Sequence, residues 1–276
     1  MCCKPDVASR VQLEGRPIVI TGGGTGIGAA VAVACAKAGM PVTISGRRLQ
    51  PLEHTRDAVL QAGGQARVLQ LDVTDPDHVG ILLDAAEDAF GPSWAVLANA
   101  GRGLLRSGHD TSDSEMRSIF DVNFYATHAL LREAANRMLG CGDGGHLLAT
   151  SSCVSKFAVP NHGAYAATKA AQDLLCQAMR LELAPAGIHV STIHPITTTT
   201  EFFDVSAKVS GNTSGPSGIH LTPRRFMQPA ERVAGAVVRC LRRPVPEVWT
   251  SQIVRMLSAI RTLRPTVLDR QLRKFL

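Results

Sequence analysis

Two tyrosines occur in 276 residues, Tyr125 and Tyr165. Tyr165 stands four residues before Lys169 in "GAYAATKAAQ" (163–172), an Ala-rich stretch that reads as a helix. Residues four apart on a helix share one face, with Cβ atoms about 6 Å apart. A tyrosine whose pKa lies near its ordinary value of about 10 exchanges protons poorly at neutral pH. A neighbouring ammonium favours the phenolate and lowers that pKa, which makes the pair a candidate general acid–base. Tyr and Lys at this spacing also arise by chance, so the weight falls on what surrounds them.

A second group of residues suits phosphate chemistry. "RPIVIT" (16–21) reads as a strand and runs directly into "TGGGTGIGAAVAVACAKAG" (21–39), which reads as a loop and helix. Thr21, Gly22, Gly24, Thr25, Gly26, Ile27 and Gly28 form that loop. Glycines there permit a sharp turn and close approach of a pyrophosphate, and the helix N-terminus offers N–H groups and positive dipole. The spacing is G-x-x-x-G-x-G, and the strand before and helix after it carry the inference. The strand at 41–45 ends at Gly46-Arg47-Arg48, where an NAD site would place an acid for the ribose 2′-hydroxyl. Two guanidinium groups suit a 2′-phosphate instead, so NADP(H) is the expected cofactor, with NAD(H) the alternative. Asp72 and Val73 in "LQLDVTD" end the next strand, where Asp72 faces either an adenine amino group or a turn. Asn99, Ala100 and Gly101 in "ANAG" follow the fourth strand, at a switch point.

The elements that must position these residues alternate along the chain. β-Branched runs at 16–21, 41–45, 66–71, 94–98, 145–151 and 188–193 read as strands. Helices are predicted near 26–38, 49–62, 76–90, 112–138 and 164–185. Such alternation implies βαβ units and a mostly parallel sheet covered on both faces. A helix near 229–242, a strand near 246–250 and a helix near 252–263 complete the pattern. The expectation is a single-domain α/β Rossmann fold with a doubly wound, seven-stranded sheet over residues 15–250. Residues 1–14 read as a lead-in, and 251–276 as a basic amphipathic extension. "SAKVSGNTSGPSGIHLTP" (206–223) lacks periodicity and falls in an expected substrate loop spanning about 200–228.

In that context the residues resemble the short-chain dehydrogenase/reductase family, over about Leu13 to Thr250. The resemblance rests on "TGGGTGIG", "LDV", "ANAG", Asn123 in "DVNF", Ser152 in "TSSCVS", "YAATK" and "HPITTTT" in this order. It implies that Tyr165 is the general acid in reduction and the base in oxidation, and that Lys169 tunes it and holds the nicotinamide ribose. It further implies that Ser152 bonds the substrate oxygen and that Asn123 supports a proton-relaying water. Ser151 is the nearest competitor, but adjacent strand residues face opposite ways, and the family's spacing of 13 residues before Tyr165 selects Ser152. The family's usual Pro-Gly is Pro195-Ile196 here, and Thr198 and Thr200 take the positions that would hold the nicotinamide carboxamide. Homo-oligomers built on the helices near 112–138 and 164–185 are a further implication.

Phe157, Val159, Phe202, Phe203 and Phe226 are candidate substrate contacts, and few charges accompany them apart from Arg102, Arg106, Lys156, Arg224 and Arg225. An apolar ketone, aldehyde or alcohol is therefore the expected substrate. A 3-oxoacyl thioester on an acyl carrier protein is the runner-up, and a non-enzymatic nucleotide sensor the competing class. His162 and His194 read as structural. The seven cysteines, without CxxC pairing, read as reduced thiols, Cys2 and Cys3 among them, and no metal site is expected.

Net charge is +6, and its location decides what it means. From Arg239 to Leu276 nine Lys/Arg oppose two acids, Glu247 and Asp269, while the rest holds 20 basic and 21 acidic residues. A neutral body with a basic tail does not suit a nucleic-acid-binding face. With no signal pattern at the start, a cytoplasmic protein is expected. Ile253, Met256, Leu257, Ile260 and Leu263, then Val267, Leu268 and Leu272, recur at helical spacing among arginines. That segment reads as packing on the body or a second subunit, or as resting on an anionic membrane.

Overall fold

The structure is a computed structural model that describes residues 10–157, 159–211, 227–264 and 266. Cys2, Cys3, Arg224, Arg225, Phe226, Val267, Leu268 and Leu272 lie outside the described residues, as do positions 212–223 of the expected loop. The strands are β1 (Ile18–Thr21), β2 (Val42–Gly46), β3 (Ala66–Gln70), β4 (Ala95–Ala98), β5 (Gly145–Thr150), β6 (Ile188–His194), β7 (Thr197–Thr198), β8 (Met227–Gln228) and β9 (Glu247–Trp249). The helices are α1 (Gly26–Ala36), α2 (Leu49–Gln61), α3 (His78–Phe90), α4 (Asp113–Phe120), α5 (Ala126–Cys141), α6 (Gly163–Leu183), α7 (Phe202–Val209), α8 (Ala230–Arg242) and α9 (Gln252–Leu263).

Seven of the strands form one sheet in the order β3-β2-β1-β4-β5-β6-β9, with every pairing parallel. Side chains alternate between the two faces of a strand, so each central strand feeds two cores. Ile18, Ile20, Leu97 and Leu148 join the core under α1, α2 and α8. Val19, Val96, Leu147 and Ala149 join the opposite core under α3, α5 and α6. This is why the strands read as continuous apolar runs. The chain order reverses between β1 and β4, which opens a crevice beyond their C-terminal ends.

Two segments differ from the sequence expectation. The single helix predicted over 112–138 is α4 and α5 joined by a π-helical turn, Asp121–Tyr125. The extra residue of that turn leaves Asn123 fully buried and bonded across to other elements. The aperiodic stretch from residue 206 begins inside a helix, because α7 runs to Val209. Thr200 Oγ1 accepts from the Phe202 N–H at 3.3 Å to start α7, and Ser206 and Ser210 return hydroxyl bonds four residues back. Serines that bond their own helix carry no periodic signal. The short β7–β8 pair escaped prediction as well, since its partners lie 30 residues apart.

The glycine loop is held by close backbone packing. Gly22 and Gly26 have φ of 65° and 57°, which side-chain-bearing residues rarely adopt. A Cβ on Gly28 would overlap the Gly22 carbonyl oxygen and come within 2.6 Å of Asn99 Nδ2. Gly28→Ala is therefore expected to cost about 1–3 kcal/mol in urea denaturation. The variant should also lose dinucleotide binding, measured by fluorescence titration.

Candidate active site

Asn99, just beyond β4, locks the crevice. Its Nδ2 donates to the carbonyls of Thr21 (3.1 Å) and Gly22 (3.2 Å), and its Oδ1 accepts from Thr150 Oγ1 at 3.0 Å. Thr21 Oγ1 in turn accepts the N–H groups of Asn99 and Ala100, each at 3.1 Å. The ends of β1, β4 and β5 are thus tied through one side chain. Thr25, the residue before α1, makes no side-chain cap bond to the helix start. The first N–H groups of α1 therefore remain for an anionic partner. With the close-packed glycines, this arrangement fits a dinucleotide pyrophosphate.

At the outer end of the crevice, Arg47 and Arg48 are exposed. Arg48 pairs with Glu201 at 2.7 Å, while the charge of Arg47 acts on Asp72 and Arg102. Asp72 Oδ1 accepts from the Thr74 backbone N–H (3.0 Å) and hydroxyl (2.8 Å). Against the burial that pushes the carboxyl up, these bonds and the Arg47 charge lower its pKa overall. Asp72 is a turn residue in this state, and Val73 lies half-buried beside it.

On the other side of the crevice, Lys169 of α6 is 3% exposed and donates from Nζ to the Thr150 carbonyl at 2.7 Å. Burial pushes its pKa down to about 8, against the opposing pull of Asp173. Nζ lies 5.8 Å from the Tyr165 ring centroid. The expectation that the ammonium lowers the Tyr165 pKa does not hold in this state. Burial pushes the phenol well above its ordinary value, with the Ser152 hydroxyl opposing it. Desolvation of the anion dominates, so the phenol stays protonated at neutral pH.

Asn123 on the π turn has both ends of its side chain bonded. Oδ1 accepts from the Arg102 N–H at 2.9 Å, and Nδ2 donates to the Arg102 carbonyl (2.9 Å) and Thr168 Oγ1 (3.1 Å). It fastens the segment after β4, with Gly101, to α6. Ser152 is half-buried and accepts from the Val154 N–H at 3.3 Å, whereas Ser151 is 2% exposed and turned toward the Lys169 carbonyl, 3.5 Å away. The thiol of neighbouring Cys153 is pushed up to about 11 by burial and holds no thiolate at neutral pH.

Several residues in this network escaped the sequence analysis. The Ser152 carbonyl lies 2.8 Å from Ser155 Oγ and 3.2 Å from His194 Nδ1. Ser155 Oγ donates to Asp173 Oδ2 at 2.5 Å. Asp173 lies four residues after Lys169, so the spacing that singled out Tyr165 would have found it. The role of the Thr150 carbonyl had no side-chain signal. His194 is fully buried and stacked on Trp249 at 4.5 Å, and His162 lies 2.9 Å from the Pro160 carbonyl through Nδ1. Both serve the fold.

The segment after β6 closes the crevice. Pro195 is buried, and its carbonyl accepts from the Cys153 N–H at 3.1 Å. Ile196 keeps a negative φ, since Asn161 is the only non-glycine with positive φ among the described residues. Thr198 Oγ1 donates to the Ile196 carbonyl at 2.8 Å, and Thr200 Cγ2 would sit 2.9 Å from a Cβ on Gly26. Beyond it, Phe202 of α7 lies against Tyr165, with ring centroids 5.5 Å apart, and Phe203 against Phe202. Phe157 and Val159 are half-buried nearby in sequence to Ser152. Lys156, expected at the substrate wall, is instead paired with Glu247 (2.8 Å) and Asp173 (3.1 Å), and Arg106 with Glu115 (2.9 Å).

The buried ammonium predicts a pH signature. The folded pKa of Lys169 lies below its unfolded value, so the cost of burying its charge is fully present below about pH 8. That cost is relieved as pH rises from about 8 through the unfolded value of 10.5, where the unfolded chain binds more protons. Relative to Lys169→Met, the wild type should gain roughly 3 kcal/mol across that window in urea denaturation. A pH-independent difference between the two proteins would show that Lys169 is not held as a destabilised cation.

The family model for short chain dehydrogenases matches residues 16–209. Glycine betaine reductase ATRR of Emericella nidulans is 33% identical over 84% of this chain, which spans only 18% of that protein's length. Ketoacyl reductase HetN of Nostoc sp. is 29% identical over 95% of this chain and 90% of its own. D-Erythrulose reductase of Gallus gallus is 35% identical over 72% of this chain and 76% of its own. Among solved structures, a short chain dehydrogenase/reductase from Burkholderia phymatum in complex with NAD superposes with a TM-score of 0.83, at 25% identity over 94% of this chain and 96% of that one. A 7 alpha-hydroxysteroid dehydrogenase with NADH and 7-oxo glycochenodeoxycholic acid gives 0.76, at 26% identity over 86% and 93%. With its parallel sheet, its glycine loop at the switch point and Tyr165 beside a buried Lys169, the chain belongs to the short-chain dehydrogenase/reductase family of oxidoreductases.

Proposed function

We propose that the protein is an NADP(H)-dependent oxidoreductase that interconverts an apolar ketone or aldehyde and its alcohol, with Tyr165 as general acid and base. The observation that carries this reading is the burial of Lys169 beside Tyr165. Holding an ammonium out of water is costly, and chemistry is the return on it. When bound, NADP(H) supplies or accepts the hydride. The chain's own residues do the rest. Tyr165, protonated at neutral pH, donates its phenolic proton to the oxygen of a carbonyl being reduced. Ser152 bonds the same oxygen and fixes its direction, and the Ser155–Asp173 bonds keep Ser152 in place. Lys169 stabilises the phenolate left behind.

Support for NADP(H) comes from the exposed Arg47 and Arg48 after β2, where no acid stands. The Arg48–Glu201 pair is exposed at both ends, and such pairs contribute about 0–1 kcal/mol, so a 2′-phosphate can displace it. Support for an apolar substrate comes from Phe202 over Tyr165 and from ion pairs that occupy Lys156 and Arg106. A 3-oxoacyl thioester is the second reading, favoured by the match to a ketoacyl reductase over most of both chains. Assembly of identical subunits is proposed through the π turn, α5 and α6, where Tyr125, Leu139, Leu174 and Leu181 are exposed.

Tyr165→Phe should lower kcat about 10²- to 10⁴-fold on apolar ketones or 3-oxoacyl thioesters, with nucleotide affinity unchanged. A fully active variant would overturn the acid–base assignment. Arg47→Ser combined with Arg48→Ser should lower the NADPH-over-NADH ratio of kcat/KM at least tenfold, mainly through KM for NADPH, since each charge-assisted bond contributes about 1.5–3 kcal/mol. An unchanged ratio in steady-state assays would remove the NADP preference.

A further inference from the structure

Helix α9 is mounted with its apolar stripe facing outward. Val254 and Ser258 are the residues it buries against the body. Ile253 and Met256 are each 65% exposed, Ile260 44% and Leu263 82%. With Leu257, these residues span an arc of about 120° on the side away from Val254 and Ser258. By the same spacing Arg261 lies about 40° beyond Leu257 at one edge, Arg255 lies about 80° beyond Leu263 at the other, and Arg264 follows the helix end; no acid occurs between Glu247 and Asp269. The helix has 12 residues, a length of about 18 Å, and no helix among the described residues is long and apolar enough to cross a membrane.

We propose that the outer face of α9 is a docking surface for an anionic lipid bilayer, on which the helix lies flat. Apolar side chains on that face enter the interface, while arginines at its margins meet acidic headgroups. Charge argues for lipid over a second copy of the chain. In a two-fold pairing the same patch faces itself, which brings the arginines of both copies to one interface with no acid on the helix to offset them.

The position of α9 gives the contact a use. Ser251 caps the helix by accepting from the Val254 N–H at 3.4 Å. Thr250, one residue earlier, accepts from the Ile196 N–H at 3.3 Å and lies 3.4 Å from the His194 carbonyl. The helix also packs against residues 153–155, which follow Ser152. A lipophilic carbonyl compound leaving the bilayer would thus emerge beside the loop that carries Ser152. That use rests on the oxidoreductase reading, but the docking itself does not and is measured without turnover.

The test is vesicle flotation of the full chain, using phosphatidylcholine alone and phosphatidylcholine with about one-third phosphatidylserine. Wild type is expected to float with the anionic vesicles only, and to be released at high salt. Replacing Ile253, Met256 and Ile260 together by Ser should weaken partitioning at least tenfold. Replacing Arg255, Arg261 and Arg264 by Gln should weaken it about five-fold per arginine. All six side chains lie on the outer helix or its margins, and unchanged thermal midpoints and NADPH titrations confirm intact variants. The proposal falls if wild type fails to float or floats equally on neutral vesicles. It also falls if the triple Ser variant partitions as wild type, which places the affinity elsewhere. A triple Ser variant that turns an oligomer into a monomer, with no flotation in the parent, would assign the stripe to a second copy.

Discussion

One chain of hydrogen bonds joins the two halves of the crevice. It runs from the Gly22 carbonyl to Asn99 Nδ2, from Asn99 Oδ1 to the Thr150 hydroxyl, and from the Thr150 carbonyl to Lys169 Nζ. Thr150 and Lys169 along it are buried and Gly22 and Asn99 half-buried, and an unpaired donor or acceptor out of water costs about 1–3 kcal/mol. The bonds therefore set a common position for the glycine loop, the end of β5 and the amine on α6. A shift of any one element would strand a polar group on the next. In this sense the proposed nucleotide-binding and proton-transfer groups are held as one unit.

A similar logic governs Ser152. Its hydroxyl is placed by its own backbone carbonyl, which is held by Ser155 and approached by His194. Ser155 is anchored on Asp173, and Asp173 rises from the helix that carries Tyr165 and Lys169. The groups proposed to orient substrate and transfer the proton are thus referenced to one rigid element. Asp173 serves twice, because its charge also opposes the burial that drives the Lys169 pKa down. Lys156 and Glu247 close the cluster at its outer side, which leaves the wall above Tyr165 to Phe202 and its neighbours.

Electrostatics in this site are decided by burial before they are decided by neighbours. Tyr165 and Lys169 are both pushed toward their neutral forms, the phenol up and the amine down. Spacing alone suggests the reverse for the tyrosine, because two charges close together on a helix look mutually stabilising. Spacing does not reveal that the pair lies out of water, where an isolated charge of either sign is penalised.

Local patterns in the chain were enough to read the layered α/β architecture, the seven strands of the main sheet to within a few residues, and many but not all of the residues that meet in the crevice. Those patterns are apolar runs that must be buried on both faces, glycines where backbone must turn or touch, and side chains four apart on one helix. Tertiary packing was needed to set the π turn that buries Asn123, the run of α7 into an aperiodic stretch, and the pairing of β7 with β8. It also decided the direction in which α9 presents its apolar stripe. Each of these depends on partners far apart in the chain, such as Thr168 for Asn123 and Met227 for Thr197. A periodic pattern states that a face is apolar, but only the packed neighbours decide whether that face looks inward or out.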